Sequence, residues 1–111
     1  MKRVYIAGAL NSDSALGYLA NTSRMMDMAD KVLKSGYAVF VPALDMLMCM
    51  KFGDYNYDLV FNNSQAFLVA CDAVCLTPGW ESSKGTQREI ALAKEKGIPV
   101  FETIEDLIKS L

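Results

Sequence analysis

The sequence contains no histidine. A histidine-based catalytic triad is therefore excluded, and a zinc site has no ligand set, since three scattered thiols do not make one. Those thiols, Cys49, Cys71 and Cys75, are odd in number, show no C-x-x-C spacing and stand among apolar residues. They read as reduced core cysteines of a reducing compartment. Positive charge is never concentrated. The 11 Lys and Arg are outweighed by 13 Asp and Glu, and no stretch gathers basic residues on one face, so no nucleic-acid polymer is expected as partner. No run approaches the ~20 apolar residues of a membrane span, and the apolar run after Met1-Lys2-Arg3 is too short for a signal peptide. A soluble, cytoplasmic protein with no metal and no cofactor is expected. Glycosyl transfer through carboxylates remains open.

What is present is a pattern of short apolar runs separated by polar, periodic segments. At 111 residues, 52% of them apolar, the chain is long enough for one domain with its own core. Residues 3–7 read as a buried strand ending at Gly8, and residues 37–41 as a second strand closed by Pro42. Residues 11–21 read as a loop. Asn21, Thr22 or Ser23 then caps a helix to about Lys34, with Met25, Met28, Ala29, Val32 and Leu33 as its apolar stripe and Gly36 as its stop. The run Leu-Asp-Met-Leu-Met-Cys-Met-Lys-Phe at 44–52 holds three methionines. It suits core, a subunit interface or a mobile apolar wall for a base. Residues 53–57 read as a loop and 58–71 as a helix. Gly97 to Phe101 is a fourth strand, placed at an edge or strand start by Pro99, and Thr103 caps a last helix. Alternating strands and helices predict a three-layer α/β/α domain, a small doubly wound parallel sheet of about four strands with right-handed crossovers. There is no internal repeat.

The chemistry concentrates in residues 73–97. Ala73 to Thr77 is a buried strand, Pro78 to Gly85 a loop rich in Gly and Ser, and a helix opens near Thr86. In an open parallel sheet, ligands sit beyond the carboxyl ends of the strands, where helix N-termini attract anions. Ser83 and Lys84 suit phosphate oxygens, Gly85 allows close approach to the backbone, and Trp80 suits stacking on a base or packing on its own fold. Glu89 has two readings. Thr86-Gln87-Arg88-Glu89 fits the capping box, in which Glu89 bonds back to the Thr86 N–H. Alternatively Glu89, kept ionised by the positive end of the helix dipole, is a nucleophile.

Val-Tyr-Ile-Ala-Gly at 4–8, Cys-Asp-Ala-Val at 71–74, and Gly-x-x-x-Glu at 85–89 followed by Ala91 resemble the nucleoside 2-deoxyribosyltransferase-like superfamily. That group includes the 2′-deoxynucleoside 5′-phosphate N-hydrolases and small phage and bacterial relatives of unassigned activity. The last of these share the Pro-Gly-Trp-Glu run at 78–81. The resemblance implies that Glu89 attacks the anomeric carbon and that Tyr5 hydrogen-bonds beside it. It also implies that Gly8, Asn11, Ser83, Lys84 and Gly85 lie at the substrate, Asn11 and Ser83 near its phosphate. Two positions depart from the pattern. Ser64 stands where an aspartate is expected to handle the leaving base, and the chain passes from Phe101 almost directly into its last helix, which implies an open pocket. Asp72 reads as structural.

The function expected is cleavage of the N-glycosidic bond of a (deoxy)nucleoside 5′-monophosphate through a Glu nucleophile, by a homo-oligomer acting on a small nucleotide or nucleoside. The alternatives are a non-catalytic nucleotide-binding module, and an interaction protein on the same fold that uses its Met-rich stretch as an oligomer face.

Overall fold

A computed structural model describes residues 1–54 and 56–111, Met46 by its backbone alone. Four strands form one parallel sheet in the order β2-β1-β3-β4, where β1 is Arg3–Ala7, β2 Ala38–Phe40, β3 Ala73–Leu76 and β4 Val100–Phe101. Helix α1 (Ala15–Lys34) joins β1 to β2, and α2 (Ala43–Phe52) and α3 (Tyr57–Leu68) lead from β2 to β3. A single 3-10 turn (Trp80–Ser82) and α4 (Lys84–Glu95) lead to β4, and α5 (Ile104–Ser110) follows. The fold is the expected three-layer α/β/α arrangement.

Strand alternation divides the core. Val4 and Ile6 of β1 join Met25, Met28, Ala29 and Val32 of α1 and Leu107 of α5 on one face of the sheet. Tyr5 and Ala7 face the other way, with Leu68 of α3 and Ala93 of α4. The central strands β1 and β3 are buried over nearly their whole length, as their unbroken apolar runs require. Asp72 is structural, accepting from the Arg3 amide at 2.8 Å and so tying the start of β3 to β1.

Several expectations are corrected. Helix α1 begins at Ala15, two turns before Asn21. Its cap is Ser14, whose hydroxyl accepts from the Gly17 amide at 3.0 Å, so much of the expected 11–21 loop is helical. Asn21 lies inside that helix and is buried. Its side-chain amide donates to the Leu10 and Asn11 carbonyls at 3.2 and 3.1 Å, a tertiary role that looked like a cap in the sequence. Leu33 is exposed, one position off the buried stripe. The Met-rich stretch is helix α2, stopped by Gly53 in the left-handed region at φ 65°. The expected 53–57 loop is entered at Gly53, but Tyr57 already begins α3; Tyr55 lies outside the described residues. Helix α3 ends at Leu68, three residues short of the expected end, and Leu59 and Phe67 within it and Val69 just after it are exposed. Pro99 precedes the two-residue edge strand β4, as expected.

Candidate functional site

The chain runs from β1 outward to β2, then returns across β1 to β3. Between β1 and β3 the connections therefore leave in opposite directions, which opens a crevice at the carboxyl ends of those strands. A cleft of about 560 Å³ lies there. Its walls come from the segment after β1 (Gly8 to Asn11), from Pro42 and Asp45 after β2, from Tyr57, Val60, Phe61 and Ser64 of α3, and from Ser82 to Glu89 with Gln87 excepted. Tyr5 forms part of the floor.

Each of the expected residues has a definite place. Gly8, Asn11, Ser83, Lys84, Gly85, Tyr5 and Glu89 all line the cleft. Trp80 does not. It is half-buried against the β-sheet face that holds Tyr5 and Leu76, so the ring packs on its own fold instead of offering a stacking surface. Gly8 answers first to packing, since a Cβ there would stand 2.7 Å from the Thr77 Cβ. A Cβ on Gly85 would lie 3.2 Å from the Tyr57 hydroxyl, a tight approach that this ring would have to relieve by a small shift. The Met-rich wall for a base is also corrected: of that stretch Asp45 reaches the cleft, while Met48 and Met50 are exposed elsewhere.

The capping box at Thr86–Glu89 does not form. Ser83 is the cap of α4, and its Oγ accepts from the Thr86 amide at 3.2 Å and from the Thr86 hydroxyl at 2.9 Å. The helix begins two residues before Thr86, which puts Glu89 in the second turn. Its carboxylate accepts instead from the Tyr5 hydroxyl, across from β1. Glu89 is 8% exposed. Burial pushes its pKa up to about 7, with the Tyr5 hydrogen bond pulling weakly the other way. The dipole-stabilised carboxylate expected at neutral pH is thus corrected: desolvation outweighs the helix end, which weakens beyond the first turn. Burial and the neighbouring Glu89 charge raise the Tyr5 phenol in turn, so that it stays protonated and donating.

Three side chains in the cleft were not singled out in the sequence. Asp45, in the first turn of α2 and 9% exposed, accepts from the Ser64 hydroxyl at 2.9 Å. The signal for it was a lone acid in an otherwise apolar run. Tyr57 stacks on Phe61 with ring centroids 5.6 Å apart, and the Arg88 guanidinium lies 4.0 Å from the Phe61 centroid and 5.6 Å from that of Tyr57. Arg88 shares its helix with Glu89, but nothing in its spacing announced those rings.

The cleft thus carries two buried carboxyl groups from different helices, Asp45 of α2 and Glu89 of α4, exposed cations at Lys84 and Arg88, and a helix N-terminus beside Ser83. Residues 2–102 match the family described as a domain of unknown function (DUF4406). The chain belongs to that family. No protein of curated function matches it. Within this DUF4406 domain, every cleft-lining residue falls inside the matched span. Among the described residues, no helix is long and apolar enough to cross a membrane.

Proposed function

We propose that this DUF4406 domain is an N-glycosidase, or a glycosyl-transferring enzyme, acting on a (deoxy)nucleoside 5′-monophosphate. The observation that carries this reading is Glu89, a buried carboxylate that is not spent on its own helix cap and is held by Tyr5 at a sheet switch point. A carboxylate so placed can attack an anomeric carbon, giving a glycosyl ester that water or a second base resolves. Tyr5 orients it. The N-terminal turn of α4, with Ser83, Lys84 and Gly85, suits the phosphate. Pro42, Val60 and Phe61 supply apolar surface for the base. The resemblance to the nucleoside 2-deoxyribosyltransferase-like superfamily points the same way, and cytoplasmic nucleotides are the substrates it favours.

The test is incubation with a panel of nucleosides and nucleoside monophosphates, followed by chromatography for free base. Release is expected from a monophosphate. Glu89→Ala should abolish it while circular dichroism stays unchanged. Base release that survives this substitution removes Glu89 from the mechanism. A thermal shift with mononucleotides but no base release would identify a non-catalytic nucleotide-binding domain.

A further inference from the structure

The reaction above asks for more than a nucleophile. As a C1′–N bond breaks, its electron pair stays on the base, and a neutral base leaves far more readily if a proton reaches one of its ring nitrogens. Glycosidic cleavage through one carboxylate is for this reason commonly served by a second.

Among the described residues lining the cleft, few can supply that proton. Tyr5 is committed to Glu89, and its phenol is pushed far toward the protonated side. Lys84 and Arg88 are exposed cations at the mouth, suited to an anion, and Arg88 is stacked over Tyr57 and Phe61. Asp45 is different. It is buried beside the cleft, comes from an element separate from that of Glu89, and is fixed by the Ser64 hydroxyl at 2.9 Å. Asp45, Ser64, Tyr5 and Glu89 all line the same cleft, each from a different element, and they pair as Ser64 with Asp45 and Tyr5 with Glu89.

We propose that Asp45 is the second catalytic carboxyl group of this site, the proton donor to the departing base, and that Ser64 is its positioning residue. The inference rests on the N-glycosidase reading. A Glu89 oxygen bonds to the anomeric carbon while the C1′–N bond breaks, its electron pair goes to the base nitrogen, and the Asp45 proton goes to the base. The Asp45 carboxylate then takes a proton from the water whose oxygen opens the Glu89 ester. Both acids return to their starting forms.

The experiment compares Asp45→Asn with the wild type on two substrates: an ordinary purine deoxynucleoside 5′-monophosphate, and its 7-methylguanine counterpart, whose cationic base departs without needing a proton. Asparagine keeps the shape and can still accept from Ser64. The expected result is a loss of about 100-fold or more in kcat on the ordinary nucleotide and less than about tenfold on the methylated one. Ser64→Ala should show the same selectivity at smaller size. Equal losses on both substrates, or none on either, would overturn the role of Asp45 while leaving Glu89 in place. No release from the methylated nucleotide by the wild type would overturn the enzymatic reading, and this one with it.

Discussion

Glu89 is the residue on which pH acts. Its folded-state pKa, about 7, lies above the ordinary value of 4.5 because the charged form is desolvated. A carboxyl group raised in this way opposes folding once it ionises. Its contribution to stability is intact below about pH 4.5, falls as pH rises toward 7, and is constant above that. Glu89→Gln keeps an acceptor for Tyr5 and removes the charge. It should leave stability unchanged at pH 4 and raise it by about 3 kcal/mol at pH 8, read from urea unfolding of both proteins at each pH. The same ionisation governs a nucleophile in the opposite sense. Base release should climb with pH through about 7, and Tyr5→Phe, by removing the bond that lowers the Glu89 pKa, should move that limb upward. A pH–rate profile level from 5 to 8 would contradict the assignment.

At the scale of elements, α4 turns on a choice between two caps three residues apart. Ser83 and Thr86 both follow the preferred chemistry, and the Thr86-x-x-Glu89 spacing favours the later one. The structure uses the earlier. Extending the helix back to Lys84 rotates Glu89 off its own N-terminus and toward β1, so the cap choice is what frees the acid for the cleft. Ser83→Ala should destabilise the fold by about 1 kcal/mol, a shift measurable by thermal unfolding. It should also lose activity, because frayed amides at Lys84 and Gly85 no longer converge on an anion. The opposite happens at α1. There Asn21, a good capping residue by type, sits two turns inside the helix and instead anchors the 10–11 backbone at the rim of the cleft.

For the molecule as a whole, the distribution of apolar surface is uneven. Leu44, Leu47, Met48, Met50 and Phe52 of α2 and Leu59 of α3 are all exposed, on helices with few charges to separate them. Exposed apolar side chains this frequent along one helix suit an interaction surface better than a solvent-facing one. Self-association through α2 is the expected consequence. Light scattering should find a homo-oligomer, and Leu47→Glu with Met50→Glu should shift it toward monomer without loss of helix content. A strictly monomeric wild type would remove this expectation.

The sequence by itself determined the parallel α/β sheet, the two buried central strands, the Thr103 cap and the region of the cleft, because these follow from local periodicity and turn chemistry. It brought Glu89 to notice through its place at a helix start, and Tyr5, 84 residues away, through a resemblance. Only the tertiary structure decided that Glu89 meets Tyr5 instead of its own helix cap, because both arrangements satisfy the same local rule and differ in what lies across the sheet. Only it joined Asp45 to Ser64. A lone acid in an apolar run has no period to betray it, and its meaning depends on a hydroxyl that helix packing brings from 19 residues away.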